Sequence, residues 1–128
     1  MIRDFFADAT HVTLAKSLDG LGIRHRVIAN NIANVETPGF TRSSVRFEEM
    51  LKQELEWGGQ RPLTQRIGGI QPEVVPDYVS PARPDGNNVS IDREMAELAK
   101  NNLRYEALVQ LLNLKVSMVR SAIAEGRR

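Results

Sequence analysis

Ala29-Asn30-Asn31-Ile32-Ala33-Asn34-Val35-Glu36-Thr37-Pro38-Gly39-Phe40 is the stretch on which the reading of this chain turns. It closes a long amphipathic pattern. Upstream, Leu14, Leu18, Leu21, His25, Ile28, Ile32 and Val35 recur at alternating steps of 4 and 3. Such heptad spacing marks one continuous apolar stripe on a helix. A helix over 11–35 would be ~37 Å long at 1.5 Å per residue. Gly20 and Gly22 weaken it, at about 1 kcal/mol each relative to Ala, but allow a close backbone approach or a bend. Pro38 disfavours helical geometry at Thr37. Pro38-Gly39 then reads as the centre of a type II turn, with Gly39 supplying positive φ.

A second face of this helix carries Val12, Ile23 and Val27, and Asn30 and Asn34 continue it. Asn31 falls off the main stripe. Two readings of the asparagines stand: side-chain amides that bond a neighbouring chain, or residues that cap and tolerate a fraying helix end.

Outward from the turn, Ser43 or Ser44 is placed to cap a short helix through Phe47–Leu55. Residues 58–88 then hold five glycines (58, 59, 68, 69, 86) and five prolines (62, 72, 76, 81, 84) without helical period. Glu73-Val74-Val75 and Asp77-Tyr78-Val79 make edge strands at best. So long an irregular segment reads as functional, or as disordered when alone.

Asp85-Gly86-Asn87-Asn88 is a turn signal, and Ser90 follows as a helix N-cap, with Asp92 and Glu94 favouring the helix dipole. The strongest pattern of the chain comes next: Ile91, Met95, Leu98, Asn102, Tyr105, Val109, Leu112, Val116, Val119, Ile123, again at steps of 4 and 3. Asn102 reads as a buried polar residue that fixes register. Arg120, Arg127 and Arg128 suit a helix C-terminus near Gly126.

The expected fold is mainly α. Two long terminal helices pair as an antiparallel, coiled-coil-like hairpin, with at most short β in an irregular Gly/Pro-rich middle. As a single domain over 1–128, the parts are an N-terminal helix (10–35), a turn and short helix (36–57), an irregular or disordered segment (58–89) and a C-terminal helix (90–125). The seam is expected to use Leu14, Leu18, Leu21, Ile28 and Ile32 against Leu98, Tyr105, Val109, Leu112, Val116 and Val119. Leu111, Leu114 and Met118 lie off that seam on a second apolar face of the last helix. One partner helix cannot cover both faces, so the second is expected to meet other subunits. Seven aromatic residues (four Phe, two Tyr, one Trp) make a thin core, which also favours oligomerisation.

Charge and composition exclude several functions. The 17 basic and 16 acidic residues nearly cancel, and Arg24-His25-Arg26 reads as a solvated helix face, so no nucleic-acid footprint is expected. Without cysteine there is no disulfide and no thiolate metal site. His11 and His25 have no ligand-spaced partner, His25 reading as a packed residue of the stripe. The glycine pairs lack the spacing and lysine of a phosphate loop. Glu48-Glu49 are adjacent on a surface helix rather than converging. Asn88-Val89-Ser90 matches a glycosylation sequon, but its place before a helix favours capping. No active site, cofactor or small-molecule substrate is expected. No uninterrupted apolar run of membrane-spanning length occurs. Met1-Ile2-Arg3-Asp4-Phe5-Phe6 lacks the basic and apolar regions of a cleavable signal.

Ala29-Asn30-Asn31-Ile32-Ala33-Asn34-Val35 followed by Thr37-Pro38-Gly39-Phe40 resembles the N-terminal signature of bacterial flagellar rod and hook proteins. Asp85-Gly86-Asn87-Asn88-Val89-Ser90-Ile91-Asp92-Arg93-Glu94-Met95, with Leu103-Arg104-Tyr105 and the short length, narrows the likeness to proximal rod subunits. Glu36 and Phe40 stand where many members have Asn or Asp, and Tyr. The resemblance implies a structural subunit of the basal-body rod, stacked helically across the periplasm through its terminal helices. It would be exported unfolded by the flagellar type III apparatus, without a cleaved signal. Its partners would be other copies, other rod proteins and the inner-membrane ring at the rod base. Asn30, Asn31, Ile32, Ala33, Asn34, Thr37, Pro38, Gly39 and Phe40 would then join Leu111, Leu114 and Met118 as interface residues. Phe47-Glu48-Glu49-Met50-Leu51 is similar to the short export motif of this substrate class, marked by Phe47 and Leu51, and reads equally as a plain amphipathic turn. The alternatives are another axial subunit of the family, or, in a different class, a cytosolic helical-hairpin adaptor or chaperone.

Overall fold

The computed structural model describes residues 8–126. Residues 1–6, read above for a signal, and Arg127 and Arg128, read as helix-end cations, lie outside it. The chain is mainly helical. Helix α1 spans Ala9–Ala33, strand β1 Ser43–Arg46, helix α2 Glu48–Glu56, helix α3 Leu63–Gly68, strand β2 Glu73–Pro76 and helix α4 Ile91–Glu125.

Helices α1 and α4 run antiparallel. Asp8, the N-cap of α1, is ion-paired to Lys115. Midway, Asn101 Nδ2 donates to the Leu21 carbonyl at 3.1 Å. At the far end Asn31 Nδ2 donates to Glu94 at 3.0 Å. Leu21 and Ile28 are the buried apolar residues of α1, with Leu14, Leu18 and Ile32 half-buried beside them. On α4, Leu98, Val109, Leu112, Val116 and Val119 are half-buried. Tyr105 does not join them; it is 44% exposed. His25 is exposed as well. Asn102 points to solvent, and it is Asn101 that is buried. The expected stripe fails here for a physical reason. Glu94 and Asn101 each find a polar partner on the opposite side, and those bonds rotate the N-terminal half of α4 away from its apolar stripe. Ile91 and Met95 are consequently left exposed.

The middle segment is an ordered part of the fold rather than an irregular loop. β1 and β2 pair antiparallel, with Ser43 opposite Pro76 and Arg46 opposite Glu73. Ser43 and Ser44 therefore belong to a strand and cap nothing; Phe47 occupies the N-cap of α2 without a side-chain bond. Asp77-Tyr78-Val79 is no strand. Val45, Phe47, Ile67 and Ile70 form the principal apolar cluster, and Val12, Ile23 and Val27 pack on it together with Met50, Leu51 and Leu63. Val12, Ile23 and Val27 of the second face of α1 are thus half-buried within the chain, while Asn30 on the same face stays exposed.

Gly20 explains one close approach. A Cβ built on it would lie 2.7 Å from the Phe47 ring. At Gly22 the same atom would meet nothing within 4 Å. Gly22→Ala should therefore stabilise the protein by about 0.5–1 kcal/mol through helix propensity, whereas Gly20→Ala should destabilise it by about 1–3 kcal/mol through overpacking. Paired urea denaturation curves measure both signs.

Candidate functional site

The two signature stretches, some fifty residues apart in sequence, meet as one polar cluster at the end of the hairpin. Gly39 adopts φ 72°, as the turn demands, and Phe40 N donates back to the Thr37 carbonyl at 3.3 Å. Gly86 adopts φ 84° and approaches so closely that a Cβ on it would lie 3.3 Å from Gly39 Cα. Gly39 N donates to the Asp85 carbonyl at 2.8 Å. Gly39 is required by its positive φ, since a Cβ on it would meet nothing within 4 Å, whereas Gly86 is required both by its φ and by the closeness of the other turn.

Asn87 closes the joint. It is fully buried, and its Nδ2 reaches the carbonyls of Asn34 at 2.9 Å, Val35 at 3.2 Å and Thr37 at 2.8 Å. Carbonyls at and beyond a helix end have no intrahelical partner. A side chain from 53 residues away supplies one here. Its Oδ1 accepts from Val89 N at 2.7 Å.

Behind Asn87 lies a buried charged network. Arg42 Nε donates to Glu94 at 2.8 Å and its Nη1 to Asp77 at 2.7 Å. The Arg42 side chain is 6% exposed and that of Glu94 0%. Asn31 ties α1 into it: its Nδ2 donates to Glu94 and to the Ser43 carbonyl at 2.8 Å, and its Oδ1 accepts from Ser43 N at 3.0 Å. Asn88 Oδ1 accepts from Arg42 N at 2.7 Å, while its Nδ2 donates to the Asp77 carbonyl at 2.6 Å. Hydrogen bonds from the Ser80 hydroxyl and backbone, then from Arg42, hold the Asp77 carboxyl well below the usual carboxylate range.

A second charged group links α1, α2 and α4. Arg24 grips Glu48 through both terminal nitrogens and donates to the Val45 carbonyl at 3.1 Å, and Arg104 reaches Glu48 at 3.2 Å. Arg24 is thus a packed residue, unlike the solvated His25 and Arg26 beside it. The Arg24 hydrogen bonds lower the Glu48 pKa.

The expected interface residues divide. Asn31 is buried inside the chain, so it is unavailable to a neighbour. Asn30 is exposed and Asn34 half-exposed, and their local bonding is mutual, Asn34 Nδ2 to the Asn30 carbonyl at 2.8 Å. Ala33, Thr37, Pro38 and Gly39 are exposed, while Ile32 and Phe40 are half-buried. Leu111, Leu114 and Met118 are 52%, 54% and 61% exposed. Phe47 lies in the core and Leu51 packs against it. Sequence reasoning passed over Arg42, Asn87 and Glu94 as a group. Glu94 had been placed on the helix dipole, and only three-dimensional proximity brings the three together. Among the described residues, no group of three or more His, Asp or Glu side chains is placed to hold a metal ion. Helix α4 has an 18-residue window of mean hydropathy 1.3, enough by length and composition to cross a membrane. Lys115 lies within that helix, half-buried and ion-paired to α1.

A family profile described as flagella basal body rod protein matches residues 22–41, the second half of α1 and its turn. The Bacillus subtilis flagellar basal body rod protein FlgB is 30% identical, over 89% of this chain and 92% of its own length. The chain belongs to the FlgB family of flagellar basal body rod proteins. FlgB of Borrelia hermsii is 38% identical over 73% of this chain and 80% of its own, and that of Escherichia coli 27% over 80% and 84%. It is a structural rod component of the basal body, and the cluster described above is the rod subunit's internal joint.

Two outcomes follow. Asn87→Ala removes one donor from the Asn34, Val35 and Thr37 carbonyls, which keep Thr37 N, Arg83 and Phe40 N, and leaves buried Val89 N without its acceptor. It should cost about 1–3 kcal/mol in urea denaturation, against about 0.5 kcal/mol or less for Asn30→Ala. Asp77 and Glu48 both have depressed pKa values. Their contribution to stability is therefore complete above the unfolded carboxylate range of about 4 and is lost as pH falls below it. The urea midpoint should hold from neutral pH to about pH 5 and drop steeply below about pH 4, with a shallower drop in Asp77→Asn.

Proposed function

We propose that this chain is a subunit of the proximal rod, polymerising helically through its terminal helices as part of the shaft that crosses the periplasm. The observation that carries this reading is the exposed stripe Leu111, Leu114 and Met118 of α4. These positions recur at helical spacing and meet no other part of the described chain closely enough to be buried. An apolar stripe on a polar-rimmed helix is a protein interface, and a heterologous contact that does not close on itself builds a helical filament. The partners are other copies of the chain, other rod proteins and the inner-membrane ring at the rod base. Export through the flagellar type III apparatus without a cleaved signal completes the reading. Phe47 is buried in the folded chain, so an export motif at Phe47 and Leu51 would be read before folding. The reading assigns the protein no catalysis and no cofactor.

Leu111→Asp and Met118→Asp test it. Both sites are solvated in the monomer, so stability should change by about 0.5 kcal/mol or less. Rod assembly and swimming in soft agar should be lost. Full motility of both variants would overturn the assignment of this stripe to subunit packing.

A further inference from the structure

Tyr78 and Val79 are the most exposed large apolar pair of the described chain, at 81% and 94%. Their backbone is nevertheless pinned. Asp77 Oδ1 accepts from Val79 N and Ser80 N, both at 3.0 Å, and Oδ2 accepts from the Ser80 hydroxyl at 2.6 Å. Asp77 is itself held by Arg42 in the buried network, and Arg93 reaches Ser80 Oγ at 2.9 Å. A loop built this way presents an aromatic and a branched side chain to solvent at little further ordering cost. Such preorganisation raises affinity, and Tyr is prominent among residues that dominate interfaces.

The same chain carries a hole that suits this knob. A groove of about 260 Å³ opens between α1, α2 and α4, walled by Leu21, Phe47, Leu51, Ala107 and Leu108. Glu48 and Arg104 stand at its rim, 3.2 Å apart. An apolar wall with one carboxylate and one guanidinium at the mouth matches a phenol: the ring enters, and the hydroxyl donates to Glu48 and accepts from Arg104. The knob cannot fill the hole of its own chain. Arg93, which touches Ser80, and Leu108 in the groove wall are separated by about 22 Å along α4 at 1.5 Å per residue. A Tyr78 seated in this groove would therefore belong to another molecule.

We propose that Tyr78 and Val79 of one copy insert into the groove between α2 and α4 of a second copy, a contact additional to the Leu111–Met118 stripe. The contact joins two different surfaces and is therefore heterologous, as an open polymer requires. It rests on the rod-subunit reading above and names a second interface within it.

Cysteine cross-linking tests the contact cleanly, because the chain has no cysteine. A Tyr78→Cys chain and an Ala107→Cys chain are co-expressed in motile cells, and isolated basal bodies are oxidised. A covalent dimer that forms only when both chains are present is the expected result. Val79→Cys replaces Tyr78→Cys if the latter is not incorporated. In parallel, Tyr78→Ala should lower the amount of assembled rod at least tenfold with an unchanged urea midpoint, and Tyr78→Phe should recover most of it. Absence of the dimer from assembled basal bodies would overturn the proposal. So would a dimer from Tyr78→Cys alone, a product joined to a different protein, normal assembly of Tyr78→Ala, or a lowered urea midpoint in that variant. The wild-type chain being absent from basal bodies would instead defeat the rod reading itself.

Discussion

The buried pair Arg42–Glu94 is the constraint on which the architecture depends. A carboxylate with no solvent exposure is tolerable only when its charge is matched and its lone pairs are filled. Arg42 and Asn31 meet that demand from two sides, and each is fixed in turn, Arg42 by Asp77 and Asn88, Asn31 by the two backbone groups of Ser43. The chain segments that meet at Glu94 are the end of α1, the start of β1, the loop after β2 and the first turn of α4. None can slide along another without leaving a buried polar group unbonded. Replacing such a network whole by apolar residues is often neutral or stabilising, whereas removing one partner is costly, so the network acts first on register.

The apolar core is displaced accordingly. Phe47, Ile67, Ile70 and Val45 cluster against α1, and Gly20 lets the Phe47 ring approach the helix backbone. Helix α1 is therefore shared: one face packs on the middle segment, the other on α4. Helix α4 has no such second support. Its fully buried residues are Glu94 and Asn101, both polar, while its leucines and valines are half-buried or exposed.

Much of this was legible in the residues. Steps of 4 and 3 defined both long helices to within two residues at either end, and Pro38-Gly39 gave the turn with its positive φ. The α1 stripe Leu14, Leu18, Leu21, Ile28 and Ile32 is buried or half-buried. Periodicity failed where polar pairing competed with it. Asn101 and Glu94 turn inward because the Leu21 carbonyl, Asn31 and Arg42 wait there, and no local pattern announces partners 52 to 80 residues away. The middle segment was unreadable for a related reason. Its elements span 4 to 9 residues, too short for a period to declare itself, and they are ordered by α1 rather than by their own propensity. Asn31, off the apolar stripe and expected at an interface with neighbouring subunits, is instead bonded to Glu94 within the chain.

The division of labour along α4 then has a physical consequence for a protein that works in an assembly. Hydrogen bonds between buried groups depend steeply on geometry, so the polar end of the hairpin defines one conformation. Apolar contact is non-directional and scales with area, so on the proposed reading the exposed stripe of α4 supplies attraction without dictating the partner's register. A subunit with the reverse arrangement, apolar inside and polar outside along α4, would be a more stable monomer with little left to bind. Specification of the subunit is concentrated where the two signature turns meet, and exposed apolar side chains run along α4 from Ile91 to Ile123. The Asn-rich signature acts at the first of these. Its buried member, Asn31, holds the hairpin in the shape that presents the second.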